Sequence, residues 1–275
     1  MSGSFTGCCF GGERNVLDLD SLEFAVLAEA AGIDRVPTVA AYRNYGTPVD
    51  DVDAEFEAAE RRCRERGLLD RSGRPDDRVA ELLSLYQRTS VEYDLRFSAQ
   101  RGTELRAAVC GAGRDALRTV VSGDRVRLDR ISADQLIPAA IAVLPEHEPL
   151  RMRPLSVDLS ALRSVYAGTD EETEPDQREV ESRLRALGVD TREFRQITEL
   201  LAEPRLGVGE LGVTAWGRGG AESRGEQTVK LIDVGRGRMA VYNGGGRRML
   251  CGADPATVGR VLGEVAERAR WRLRE

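Results

Sequence analysis

The chain has 275 residues and a hydrophobic content of 41%, enough for a sizeable core without disulfide or metal staples. Its 46 acidic and 40 basic side chains leave a net charge of −6, which disfavours a dedicated nucleic-acid binder because the overall field repels phosphate. A single histidine, His147, excludes His-rich metal cages, and five cysteines without a C-x-x-C pair exclude a disulfide framework.

Among the basic residues only Lys230 is a lysine, which reads first as a coding bias. Residues 1–7 (MSGSFTG) have neither the basic nor the apolar region of a signal peptide, so Cys8 and Cys9 are expected in a leader without lipidation. The longest apolar stretch, Leu136 to Leu144, contains Pro138 and is too short to span a bilayer. A cytoplasmic protein without membrane insertion is expected.

In chain order, Val16 to Ala31 predicts a short strand or turn feeding a helix that ends at Gly32. Residues 53–66 predict an amphipathic helix with Phe56, Ala59 and Cys63 on one stripe, stopped by Gly67. A second helix, carrying Val79, Leu82, Leu83 and Tyr86, follows Pro75. This helix pair is the basis of an alternative reading, a nucleic-acid-associated regulatory module, although its exposed faces mix arginine with acid. Strands are then predicted at Val91 to Ser98, Glu104 to Cys110, Ala116 to Val121 and Asp124 to Arg130, the last two joined by a Ser122-Gly123 hairpin loop. Ser132 and Gln135 match a capping box for a helix with Leu136, Ala140, Ile141 and Leu144 on its buried stripe. Pro145 to Pro154 reads as a linker.

The second half predicts helices at Asp176 to Leu187 and at Asp190 to Glu203, the latter with an Asp190/Glu193 capping box. Strands are expected at Val208 to Trp216, Gln227 to Val234, Arg238 to Tyr242 and Arg247 to Cys251, the last pair joined by the Asn243 to Gly246 loop. A final helix starts at Asp254 and Pro255. Sliding residues 104–143 by 122 positions superimposes strands, turns and helix starts, with seven of forty positions identical, including Gly123 on Gly245. The expected fold is therefore α+β, a quasi-twofold internal repeat around one antiparallel sheet. Residues 1–275 are expected to form a single intertwined domain of two half-repeats, 16–144 and 155–274.

The chemical motifs are weak. Gly207 to Gly212 (GVGELG) fits G-x-G-x-x-G, but it follows a helix and leads into a strand, so a turn accounts for it better than a dinucleotide site. Gly217 to Gly225 lacks the G-K-[ST] of a phosphate loop and reads as a long flexible connection. His147, between Glu146 and Glu148, has no nucleophile nearby and reads as a surface histidine, which leaves a His147 hydrolase without partners. Glu171, Glu172, Glu174 and Asp176 lack the glycine and ligand alternation of a calcium loop. Arg268, Arg270, Arg272 and Arg274 around Trp271 suit a helix C-terminus. Nothing assembles a nucleophile, a base and an oxyanion site, so no enzyme is expected.

Three runs carry a family resemblance: ERGLLDRSGRPDDRVAELLSLYQRTSVEYDLRFS, ELRAAVCGAGRDALRTVVSGDRVRLDRISADQLIPAAIAVLP and GRGRMAVYNGGGRRMLCGADPATVGRVLGEVAER. Their order and periodicity resemble the EspG family of ESX (type VII) secretion-associated proteins of actinobacteria, from about Leu17 to Arg268. The CCFGG leader departs from the family's usual start. The resemblance implies a cytosolic chaperone that needs no cofactor. It would bind the tip of the PPE helical bundle in secreted PE–PPE heterodimers, keep them soluble and confer pathway specificity. It also implies a quasi-symmetric sheet with two helical bundles, the partner docking on the sheet and the C-terminal bundle. Carried over by location, the partner-binding positions are Ser98, Gln100, Arg101, Gly102 and Thr103 between two strands, Leu200, Leu201 and Leu206 at a helix end, and Gly220 and Arg224 in the long connection. A homodimer is also compatible with the sequence.

Overall fold

The computed structural model describes residues 16–42, 49–100, 102, 104–166 and 176–274. Strand β1 (Val16–Asp20) runs into α1 (Ser21–Ala30), where Asp20 and Glu23 form a reciprocal capping box: the Glu23 amide donates to Asp20 at 2.8 Å and the Asp20 amide to Glu23 at 3.0 Å. Helices α2 (Val49–Glu65) and α3 (Asp77–Gln87) follow, and Gly67 adopts the left-handed φ of +69° expected after a helix end. Four strands, β2 (Val91–Ala99), β3 (Glu104–Ala112), β4 (Asp115–Ser122) and β5 (Arg125–Ser132), form a meander closed by the short helix α4 (Leu136–Ile141). The second half contributes β6 (Leu155–Asp158), α5 (Leu159–Tyr166), α6 (Gln177–Ala186) and α7 (Thr191–Leu201). Strands β7 (Arg205–Trp216), β8 (Glu222–Arg224), β9 (Val229–Val234), β10 (Gly237–Gly244) and β11 (Arg247–Gly252) follow, and the long helix α8 (Pro255–Arg272) closes the chain.

All eleven strands join one antiparallel sheet in the order β1-β5-β4-β3-β2-β7-β9-β10-β11-β6, with β8 added to the end of β7. Alternation along the strands divides the core into three. On one face, α4 and α8 cover the middle of the sheet, burying Val91, Tyr93, Leu95 and Phe97 of β2 with Leu211 and Val213 of β7 against Val258, Val261, Leu262 and Val265. On the opposite face, α1 to α3 cover the β3 to β1 end, and α5 to α7 cover the β9 to β6 end. Each helical cluster stops short of the centre, and neither includes an apolar side chain of β2 or β7.

Several expectations change. The hairpin loop between β4 and β5 is Gly123-Asp124, with Gly123 at φ +56°, because Ser122 is still paired with Arg125. Ser132 takes the N-cap position of a 3-10 turn, Ala133–Gln135, through which the chain enters α4, but its side chain makes no capping bond. Asp190 does cap α7, accepting from the Arg192 amide at 2.9 Å, but Glu193 turns away to take the Ser156 amide at 2.9 Å, so the capping box is not closed. The proline-rich segment is no free linker. Its Leu150 is buried, its Leu150 amide bonds to the Arg238 carbonyl and the Arg238 amide to the Glu148 carbonyl, and His147 Nε2 lies half-buried at 3.0 Å from the Val234 carbonyl. The acidic residues Glu171, Glu172 and Glu174, like Cys8 and Cys9, lie outside the described residues.

Candidate functional site

The G-x-G-x-x-G match lies inside β7 rather than in a turn, and its glycines serve packing on both faces of the strand. A Cβ at Gly207 would stand 2.5 Å from the Phe97 ring and one at Gly209 2.7 Å, so both residues are small to let that ring lie flat against β7. Phe97 is capped on this closed face by the Arg238 guanidinium, 5.4 Å from the ring centre. Arg238 is itself buried in a bidentate pair with Asp233, at 2.6 and 2.8 Å, and donates to the Pro145 carbonyl at 2.9 Å.

The other face of the same two strands is open. Leu206, Val208 and Glu210 alternate outward on β7, and Arg96 and Ser98 on β2 point the same way, Ser98 directly opposite Val208 and Arg96 opposite Glu210. Leu206 is 42% exposed and Val208 37%, two of only five large apolar side chains exposed among the described residues. Hydration of such a pair on a strand is unfavourable, and covering their remaining surface is worth on the order of 1 kcal/mol each. Glu104 and Arg106 of β3 and Lys230 of β9 border the patch, with Lys230 paired to Glu210 at 3.3 Å.

Toward its upper end the open face becomes polar and then closes. Arg224 reaches across β7 to Asp94 in a bidentate pair, its second bond 3.0 Å long, and also donates to Thr214 at 3.0 Å. Beside them Glu92 is 8% exposed. Burial, and next the neighbouring Asp94, pushes its pKa up to about 7, against the lesser pull of Arg224. Arg35 stacks over Trp216 at 4.2 Å, while the Trp216 Nε1 is buried with no acceptor among the described residues.

The structure brings part of the predicted set together. The Gln100 amide donates to the Leu206 carbonyl at 2.8 Å, so Ser98, Gln100 and Leu206 share one edge of the open face. Gly102 turns the β2–β3 connection at φ +80°, while Arg101 and Thr103 lie outside the described residues. Leu200 and Leu201 are half-buried and pack on the cluster under α5 to α7. Leu200 also lines a groove of about 300 Å³ with Met152, Leu155 and Arg236. The stretch containing Gly220 and Arg224 is not a loose loop: it folds through a 3-10 turn, Arg218–Gly220, and returns as β8, so Arg224 is tied within the chain. Sequence reasoning missed Val208 and Arg96. A parity switch could have found Val208: apolar residues fall at 206 and 208, then at 211, 213 and 215, and both sets cannot face one core.

The sequence profile described as the EspG family matches residues 20–267. The chain belongs to the EspG family. The fold agrees: a structure of the Mycobacterium tuberculosis type VII secretion system chaperone EspG5, in complex with the PE25-PPE41 dimer, superimposes with a TM-score of 0.65 over 91% of this chain and 95% of that one, at 15% identity. No curated protein matches the sequence. Among the described residues no helix of this EspG chain is long and apolar enough to cross a membrane.

Proposed function

We propose that this chain is a cytoplasmic type VII secretion chaperone that binds the PPE tip of PE–PPE heterodimers and holds them soluble until export. The observation that carries the reading is the pair Leu206 and Val208, exposed on a sheet face that two helical clusters flank and neither covers. An apolar anchor rimmed by polar loop residues is what a protein partner needs: Leu206 and Val208 would supply affinity, and Ser98, Gln100, Arg101, Gly102 and Thr103 specificity. The groove at Leu200, next to Leu201, offers a second contact on the C-terminal helical cluster. A complex of EspG5 with a PE–PPE dimer on the same fold supports the choice of partner. The work is binding, with no reaction and no cofactor. Co-expression with the PE–PPE pair encoded nearest to the gene tests it: the pair is expected to co-elute on size exclusion, and failure of every candidate pair to co-elute or gain solubility overturns the reading.

We further infer that the chain is one intertwined domain of two quasi-twofold halves, 16–144 and 155–274. Strand registers support this. Pairing Ala112 with Asp115 and Ser122 with Arg125 becomes, shifted by 122 positions, Val234 with Gly237 and Gly244 with Arg247. At the edges Leu17 faces Leu128 as Leu155 faces Leu250. Near the centre Tyr93 pairs with Val109 as Gly209 pairs with Leu231, shifts of 116 and 122, so the β7–β9 connection holds six residues more than its counterpart.

A further inference from the structure

The six additional residues fall in the segment that forms β8, and their placement is tightly determined. β8 pairs Arg224 with Thr214, Ser223 with Ala215 and Glu222 with Trp216 on the upper end of β7, beyond the last β9 pair at Leu211. From the closed face, Arg272 of α8 reaches around and donates to Ser223 Oγ at 3.1 Å, to the Arg224 carbonyl at 2.5 Å and to Glu226 at 2.8 Å. The Gly225 amide bonds to the Val213 carbonyl at 2.8 Å, and a Cβ on Gly225 would stand 2.5 Å from Val265. From this anchored base Arg224 crosses β7 directly above Gly212, where any Cβ would run into its guanidinium, and grips Asp94 on β2.

We propose that β8 is a strap, locked by Arg224 on Asp94 across Gly212, which closes the upper end of the open face and confines a docked partner to the lower end, from Leu206 to Glu210. The inference rests on the docking reading above and adds what limits the footprint. Opening the strap would leave Asp94 without its ion-pair partner beside the buried Glu92, and an uncompensated charge at a half-dry site is costly, so the lock stays shut when a partner binds. Three of the five guanidinium donors of Arg224 are committed to Asp94 and Thr214, so in this proposal Arg224 holds the strap rather than the partner. Leu206 and Val208, 42% and 37% exposed, have no such cover among the described residues.

Hydrogen–deuterium exchange on the free chain tests the lock. Arg224→Ala and Gly212→Ala are each expected to speed exchange of amides 217–228 at least tenfold while α1 and β1 are unchanged, with Arg224→Lys in between because it keeps the charge and loses the bidentate geometry. Strap exchange within twofold of wild type in Arg224→Ala overturns the proposal. Hydroxyl-radical footprinting of a complex with a PE–PPE heterodimer that co-elutes with the wild-type chain tests the confinement. Leu206 is expected to be protected and Trp216 to remain as reactive as in the free chain, with Trp216 gaining protection only in Arg224→Ala. Protection of Trp216 in the wild-type complex contradicts it. If no heterodimer co-elutes, the chaperone reading fails while the exchange experiment still decides the lock.

Discussion

Phe97 and Val208 sit on opposite faces of the same two central strands, and their surroundings differ in kind. Phe97 is 2% exposed, laid on Gly207 and Gly209 and capped by a buried ion pair, whereas Val208 stands in the open between two helical clusters. The closed face spends its glycines, its aromatic ring and its charges on packing. The open face leaves apolar surface bare where the fold had two helical clusters with which to cover it. The difference separates stability from binding: damage to the closed face should unfold the chain, and damage to the open face should leave it folded and without a partner.

The contrast breaks first at Phe97. Phe97→Ala is expected to cost about 3–5 kcal/mol in denaturant titration, through the cavity left against two glycines and an unsupported guanidinium. A similar cost for Val208→Ala would erase the distinction between the faces. Glu92 comes next, with an effect that depends on pH. The unfolded chain releases this proton near 4.5 and the folded one near 7, so the fold holds the extra proton between those values. Stability therefore declines as pH rises through that window, by up to about 3 kcal/mol, and is flat above it. Glu92→Gln should remove the decline and leave the variant more stable than wild type at pH 8, measured as the urea midpoint against pH. Gly209→Ala, whose Cβ would meet both the Phe97 ring and the Arg96 carbonyl, is expected to cost about 1–3 kcal/mol by overpacking. Smallest is Leu206→Ser, predicted to shift stability by less than about 0.5 kcal/mol because Leu206 is a surface residue, 42% exposed.

Much of this fold was legible where local chemistry and tertiary structure agree. Asp254 with Pro255 starts α8, and Asp254 accepts from the Thr257 amide at 2.9 Å as its type and place predict. The turn glycines Gly67, Gly123 and Gly245 all take positive φ. Reading failed where a distant partner outbid the local one. Glu193 belongs by spacing to the α7 cap, yet the β6 amide of Ser156 claims it. β6 and α5 went unseen because four strand residues and two helical turns are too short for a period to emerge, and both depend on the sheet edge and the third core cluster for their stability. The candidate site was half visible. Leu206 and Ser98 were expected from family position, whereas Val208, Arg96 and the Arg224–Asp94 pair needed the β2–β7 register, which couples residues more than a hundred positions apart.

If the open face is the docking surface, it should bind a PE–PPE heterodimer without helping to hold the fold together. The direct measurement is size-exclusion co-elution of Leu206→Asp/Val208→Asp with a heterodimer that the wild-type chain retains, paired with its thermal midpoint. The account predicts loss of co-elution with the midpoint within a few degrees of wild type. A double variant that still co-elutes, or one that loses its partner only because it unfolds, would contradict it.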